Sequence, residues 1–168
     1  MLPALLFLAA LQQAPAAAAP VCPATPAPLT APWSGWVTAT PLTAAGKAGD
    51  LASATLTPGH RADVMLMPAA NVAFPTALSR PVAAGSTGGL IAITVATPGK
   101  YRLALGGALW ADMVGPDGKS VSSIAHGHGP DCSGIHKYVD FPLQPGRYVL
   151  QLSEGKAPAV GAMLTPLP

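Results

Sequence analysis

Apolar residues occur at every second position in short segments of this sequence that follow Pro-Gly pairs. Three such segments span residues 56–67, 96–105 and 143–152. In the last two, one face of the alternation carries Tyr101, Leu103 and Leu105 or Tyr148, Leu150 and Leu152. Period-two alternation is typical of β-strands with one buried face. Because Pro fixes φ and Gly tolerates positive φ, we expect each Pro-Gly pair to form a hairpin turn between paired strands.

Other short apolar segments predict further strands. They span residues 37–40, 90–95, 109–114, 120–124, 135–143 and 160–164. A Pro-Asp-Gly sequence at residues 116–118 predicts a hairpin between two of them. The chain has 20 Pro and 18 Gly, which interrupt nearly every window long enough for a helix. We therefore predict an all-β fold, an antiparallel β-sandwich or jelly roll of about eight or nine strands.

The composition of the N-terminal residues predicts export. Residues 1–19 combine an apolar run with small residues before a cleavage site, as in a signal peptide. The run is shorter than the ~20 residues that span a bilayer, so we expect cleavage rather than an N-terminal membrane anchor. Residues 20–32 are rich in Pro and predict an extended arm, and residues 33–168 predict a single β-sandwich domain. We expect a periplasmic or secreted protein without a transmembrane segment after cleavage.

The sequence contains two cysteines, Cys22 in the predicted arm and Cys132. An oxidising compartment favours a disulfide between a lone exported pair. We expect this bridge to fasten the arm to a loop of the domain. The alternative is two free thiols, with Cys132 as a metal ligand.

Charged residues are scarce. Nine Lys and Arg and seven Asp and Glu make 10% of the chain and give a formal net charge of +2, against about 25% charged residues in typical proteins. Clustered phosphate contacts are therefore not expected, and we predict no nucleic-acid partner. Glu154 is the one glutamate in the sequence, which excludes enzymes that need a pair of glutamates.

Three of the four histidines fall within residues 125–136. Imidazole nitrogen and carboxylate oxygen are common metal ligands, so His126, His128, Asp131 and His136 predict a site for zinc, copper or iron. We expect the glycines between these histidines to let the loop close around an ion. The alternative is that these residues form only a structural, Gly-rich loop between two strands, which Cys132 holds in place.

The strand after this loop predicts residues that support such a site. If Ile135, Val139 and Phe141 share the buried face, His136 projects from the other face together with Tyr138 and Asp140. Tyr138 and Asp140 would then hydrogen-bond to the ligands. The alternative is a polar strand face that is exposed to solvent.

Two weaker patterns suggest other sites. Thioether and imidazole groups suit copper, and both occur in the set His60, Asp63, Met65 and Met67. Indole rings stack on sugars or peptides, which allows a binding surface formed by Trp33, Trp36 and Trp110. The alternative in both cases is that the side chains pack against the sandwich.

Two resemblances extend this interpretation. Residues 90–153 resemble the secreted bacterial sandwich modules of the pre-peptidase C-terminal kind, which implies a fold and no activity. Residues 126–137, with 140–148, are similar to short exported bacterial proteins labelled homogentisate 1,2-dioxygenase. That label implies iron held by two histidines and one glutamate. Asp131 would replace the glutamate here, beside His126 and His128.

We therefore expect an exported, non-enzymatic β-sandwich protein whose loop at residues 126–136 binds a metal ion or a partner. The first alternative is a metal-dependent oxidoreductase, an iron-dependent dioxygenase that uses the same histidines. The second is a structural or adhesion module that contacts another protein of the cell envelope.

Overall fold

The computed structural model describes residues 21–25 and 27–168, so the predicted signal peptide at residues 1–19 lies outside the described residues. Strands dominate the described part of the chain, and they range from two to ten residues in length. The strands are β1 (Ala39–Thr43), β2 (Thr55–Leu56), β3 (Arg61–Met65), β4 (Met67–Pro68), β5 (Thr87–Val95), β6 (Gly99–Leu105), β7 (Trp110–Val114), β8 (Ser120–Val121), β9 (Ala125–Gly127), β10 (Lys137–Leu143), β11 (Gly146–Gly155) and β12 (Ala159–Pro166). In the same described ranges, three 3-10 helical segments occur at Ser34–Trp36, Ala48–Ser53 and Ala69–Asn71.

The strands form two six-stranded sheets packed as a sandwich. The first sheet has the order β1-β3-β12-β6-β10-β9, and the second has the order β2-β5-β11-β7-β8 with β4 beside β5. The pairs β1–β3 and β2–β5 are parallel, and the remaining pairs are antiparallel. The predicted all-β sandwich is confirmed. The strand count is higher than expected because β2, β4 and β9 are only two or three residues long.

The three Pro-Gly pairs connect opposite sheets, so the predicted hairpins at these positions are wrong. They lie between β2 and β3, between β5 and β6, and between β10 and β11, and in each case the two strands belong to different sheets. The Tyr101 hydroxyl donates a hydrogen bond to the carbonyl of Thr97 at 2.9 Å, and Tyr148 bonds to Gln144 in the same way at 2.9 Å. This contact is the tyrosine corner of β-sandwiches, which fixes a chain that crosses between sheets.

The predicted hairpin at residues 116–118 is confirmed, because β7 and β8 pair across it. Gly118 there has a φ of 75°, which a side chain would disfavour.

The space between the two sheets holds the main hydrophobic core. The side chains predicted to share a buried face all lie in it, namely Tyr101, Leu103, Leu105, Tyr148, Leu150 and Leu152. Each is at most 4% exposed. Burying a large apolar side chain contributes roughly 1.5–3 kcal/mol, so these two strands supply much of the folding free energy.

The N-terminal arm lies against the outer face of the first sheet. Leu29 and Trp33 pack on a small cluster, here called the outer cluster, formed by Trp36, Ala104, Ile135 and Met163. The disulfide between Cys22 and Cys132 is present, as predicted, and joins the arm to the loop before β10. No strand occurs in the described part of residues 20–32.

Residues 72–86, here called the cover segment, lie over the outer face of the second sheet. The buried Gln151 side chain accepts a hydrogen bond from the Thr76 N–H at 3.1 Å and donates one to the Thr76 carbonyl at 3.1 Å. Farther along, the Glu154 carboxylate accepts a hydrogen bond from the Ala83 N–H at 2.6 Å. These contacts hold the cover segment in place and position Arg80 beside β7.

None of the helical segments in the described ranges has the length and apolar character needed to cross a membrane.

Candidate ligand-binding cleft

One lateral edge of the sandwich is open because its edge strands are short. β8 pairs only with Met113 and Val114, so residues 110–112 of β7 have no strand neighbour on that side. On the opposite sheet, β9 pairs with only three residues of β10. A cleft of about 740 Å³ lies between these edges. We call it the edge cleft and define it by the side chains of Arg80, Trp110, His126, His128, His136 and Lys137.

The three predicted histidines all line the edge cleft. His126 lies in β9, opposite Val139, although we had expected this segment to be a loop. The rings of His128 and His136 lie 6.1 Å apart between centroids and are nearly perpendicular. The His128 Nδ1 atom lies 3.2 Å from the carbonyl oxygen of His136. All three side chains are exposed, so their remaining nitrogens are accessible to a ligand.

Asp131 lies apart from the histidines. It lines a second cavity of about 520 Å³ under the arm, together with Cys132, Trp33 and Trp36. Within residues 21–25 and 27–168, no three His, Cys, Asp or Glu side chains are grouped so that they could hold one ion. The site built from His126, His128, Asp131 and His136 therefore stays a prediction from the sequence.

Asp140 forms an ion pair with Arg102 on the outer face of the first sheet, and the Tyr138 ring packs against Arg102. The Arg102 Nε and Nη2 atoms each donate to a different oxygen of Asp140 at 2.7 Å. The guanidinium carbon lies 3.8 Å from the centroid of the Tyr138 ring and 5.0 Å from that of Trp33. We call Trp33, Arg102, Tyr138 and Asp140 the closed cluster. Hydrogen bonding to Asp140 raises the pKa of Arg102, and burial opposes this effect.

This arrangement corrects the expectation of a solvated polar strand face. Asp140 is only 4% exposed, and its partner Arg102 lies against the Trp33 and Tyr138 rings. Both carboxylate oxygens are bonded to Arg102, so Asp140 is engaged away from the histidines. Tyr138 stacks on Arg102 and also borders the edge cleft.

The loop glycines allow close packing within the chain. A Cβ atom at Gly127 would lie 2.9 Å from the Tyr138 ring, and one at Gly129 would lie 2.5 Å from Ile135. At Gly129 the backbone oxygen of Ile135 is equally close, so packing within the chain accounts for both glycines without an ion.

We had expected Ile135 to share a buried face with Val139 and Phe141. This prediction is wrong, because Ile135 packs in the outer cluster. The strand alternation begins only at Lys137, after Gly134 with its φ of 75°. The Ser133 Oγ atom accepts a hydrogen bond from the Ile135 N–H at 3.0 Å, which fixes the turn before the strand.

Two cations meet over one indole in the edge cleft. The Arg80 guanidinium carbon lies 4.2 Å from the centroid of the Trp110 ring, and the Lys137 Nζ atom lies 5.5 Å from it. Burial lowers the pKa of Lys137, and the positive charge of Arg80 lowers it further. Sequence reasoning missed both cations. The inward direction of Lys137 follows from its period-two spacing with Val139 and Phe141, whereas nothing in the sequence signals that Arg80 lies nearby.

Among the residues that the structure describes, one carboxylate borders the edge cleft, and it is already hydrogen-bonded within the protein. Asp112 is 7% exposed. It accepts hydrogen bonds from the N–H and the hydroxyl of Ser79 and from the Trp110 Nε1 atom. The contacts hold Ser79, and with it the neighbouring Arg80, at the cleft.

The two weaker patterns do not form joint surfaces. Asp63 pairs with Arg61 at 2.6 Å, Met65 is 50% exposed, and Met67 packs against a separate apolar cluster. Trp33 and Trp36 line the cavity under the arm, whereas Trp110 lines the edge cleft.

Comparison with known proteins identifies no relative. The sequence matches no protein-family model, and no curated protein matches it. Both resemblances therefore stay predictions.

Proposed function

We propose that this is an exported, non-enzymatic binding protein and that the edge cleft holds its ligand. One observation carries the proposal. Three histidines and Lys137 from the first sheet come together with Trp110 and Arg80 from the side of the second sheet. Polar groups that converge in a cleft of this size are typical of ligand sites.

The disulfide supports export. A bridge between Cys22 and Cys132 persists in an oxidising compartment, which fits a periplasmic or secreted location after removal of residues 1–19. The partner in that compartment is a soluble ligand or another protein of the cell envelope.

Binding is supported better than iron-dependent oxidation. A two-histidine, one-carboxylate iron site needs the carboxylate beside the histidines. Asp131 borders a different cavity, and Asp140 is bonded to Arg102. The similarity to proteins labelled homogentisate 1,2-dioxygenase therefore favours a shared loop sequence over a shared reaction.

Metal binding is the second candidate, and the pair His128 and His136 favours it. A ring-centroid separation of 6.1 Å leaves room for one ion between the two rings. Zinc, copper and iron all accept imidazole ligands. The positive charges of Lys137 and Arg80 oppose a cation in the same cleft, so an ion there would need a negatively charged partner ligand.

The test is to purify the protein, expressed from the full sequence and exported, without chelators or a His tag. Elemental and native mass spectrometry then identify bound metals and small molecules. The variant His126→Ala/His136→Ala removes two cleft imidazoles. His60→Ala is the matched control, because His60 is also exposed but borders a different cavity.

We expect a bound species on the wild type and on His60→Ala that is lost from the double variant. Thermal unfolding with added Zn²⁺, Cu²⁺ or Fe²⁺ checks the metal candidate, since a ligand that binds only the folded state raises Tm. Protein that carries nothing, and that neither these metals nor a small anion stabilises, would contradict the binding role.

A further inference from the structure

Two cations of the edge cleft form no salt bridge with a carboxylate of the described residues. Lys137 reaches into the cleft from the inward face of β10, and Arg80 reaches it from the cover segment. In the part of the chain that the structure describes, the ion pairs are Arg61–Asp63 and Arg102–Asp140. Neither Arg80 nor Lys137 takes part in them.

Two like charges over one indole repel each other, and the indole attracts both only weakly. Asp112, the carboxylate that the described lining contains, is buried and already accepts hydrogen bonds from Ser79 and Trp110. A negatively charged group placed between the two cations would remove the repulsion and form charge-assisted hydrogen bonds with both.

The remaining lining fits the polar remainder of such a molecule. His128 and His136 offer imidazole groups, and Ser120, Ser122 and Ser123 offer hydroxyls at the opposite border. All five side chains are exposed. The volume of about 740 Å³ matches that of a small-molecule site, and the short β8 keeps its mouth open.

We propose that the ligand of the edge cleft is a small organic oxyanion, whose carboxylate, phosphate or sulfate group binds between Arg80 and Lys137. This inference rests on the proposed binding function and names the chemical class of the ligand. The guanidinium of Arg80 presents paired donors to a planar carboxylate or a tetrahedral oxyanion, and Lys137 adds a mobile point charge. The histidines contact the rest of the ligand.

The experiment is isothermal titration of metal-free protein with citrate at pH 7, with sodium chloride of matched ionic strength as the reference. Arg80→Gln/Lys137→Gln removes both cleft charges. Lys100→Gln/Arg147→Gln is the matched control, since it makes the same change in net charge at exposed residues outside the cleft lining. Thermal unfolding of each variant shows that it is folded.

We expect saturable citrate binding to the wild type and to the control variant. Loss of the two charge-assisted contacts should weaken binding at least about tenfold in Arg80→Gln/Lys137→Gln. No binding above the chloride reference, or an equal loss in the control variant, overturns the inference. Parallel titrations use inorganic phosphate and polygalacturonate. Binding of polygalacturonate without binding of citrate or phosphate also overturns the inference, since the ligand would then be a polymer.

Separate titrations with Zn²⁺ and Cu²⁺ distinguish a failure of the anion inference from a failure of the proposed binding function. If a metal ion binds through the cleft histidines and citrate does not bind, the anion inference is wrong and the binding function stands. If neither the metals nor the anions bind, both are wrong.

Discussion

The closed cluster and the edge cleft both place cations against aromatic rings, and they differ in whether a carboxylate forms a salt bridge with the cation. In the closed cluster, Arg102 stacks between aromatic rings and forms two 2.7 Å hydrogen bonds with the buried Asp140. In the edge cleft, Arg80 and Lys137 both lie over Trp110 without a carboxylate partner among the described residues.

The carboxylate separates a structural cluster from a candidate binding site. With Asp140 present, the positive charge of Arg102 is neutralised inside the fold, and its side chain is only 19% exposed. In the edge cleft, Asp112 is hydrogen-bonded to Ser79 and Trp110, and no salt bridge among the described residues includes Arg80 or Lys137. Their charges therefore stay available to a molecule from solution. An aromatic ring beside a cation therefore does not indicate binding until the counter-ion has been located.

Removing the disulfide, which fastens the arm beside the closed cluster, should give the largest loss in the free energy of unfolding. Cys22→Ser/Cys132→Ser releases a cross-link between residues separated by 110 positions, and loop-closure entropy alone predicts a loss of about 4.7 kcal/mol for a loop of ~100 residues. Urea unfolding measures this loss relative to the oxidised wild type, and the reduced wild type is the control that should lose about the same amount. A loss below about 1 kcal/mol would show that the arm does not depend on the bridge.

Asp140→Asn should give the next largest effect because it leaves Arg102 without its counter-charge. We expect a loss of about 3 kcal/mol in the free energy of unfolding, typical of breaking a buried ion pair from one side. Asp63→Asn breaks the more exposed pair with Arg61 and should cost less than about 1 kcal/mol. Equal effects in the two variants would contradict the structural role of the closed cluster.

Gly129→Ala tests whether the histidine loop is fixed by packing. A Cβ there lies 2.5 Å from Ile135, so we expect a loss of about 1–3 kcal/mol from overpacking. At Gly49 a Cβ meets nothing within 4 Å, and Gly49→Ala should be neutral or slightly stabilising. Denaturant unfolding compares the two, and an equally neutral Gly129→Ala would mean that the loop moves freely.

The smallest effect should follow Lys137→Gln. Removing the charge relieves repulsion from Arg80 and the cost of burial, and it removes a cation–π contact of roughly 0.5–1 kcal/mol. These contributions nearly cancel, so we expect a change within about 0.5 kcal/mol in urea unfolding. A loss as large as that of Asp140→Asn would place Lys137 among the structural residues instead.

Much of the fold follows from local pattern. Period-two alternation predicts which face of β6 and β11 is buried, and the two cysteines predict their own bridge. The Pro-Gly pairs were predicted as hairpins because their backbone preferences suit a hairpin and an inter-sheet corner equally well. Tyr101 and Tyr148 each hydrogen-bond back to the preceding turn, which is typical of an inter-sheet corner. The sequence Pro-Gly-x-Tyr at both positions could have predicted a corner in place of a hairpin.

The candidate site was predictable only in part. Its three histidines lie within eleven residues of the sequence, so the sequence alone indicates that they belong to one site. Arg80 comes from a distant segment that Gln151 and Asp112 hold in place, and such tertiary contacts leave no local pattern. The burial of Asp140 likewise depends on Arg102 and Trp33 from other parts of the chain.

One NMR titration tests the difference between the two clusters most directly. The three indole N–H signals report on Trp33 in the closed cluster, Trp36 in the outer cluster and Trp110 in the edge cleft, with Trp110→Phe identifying the last. On addition of citrate at constant ionic strength, we predict a saturable shift of the Trp110 signal while the other two stay in place. A Trp110 signal that does not move, or that moves together with that of Trp33, would contradict the assignment of the edge cleft as the binding site.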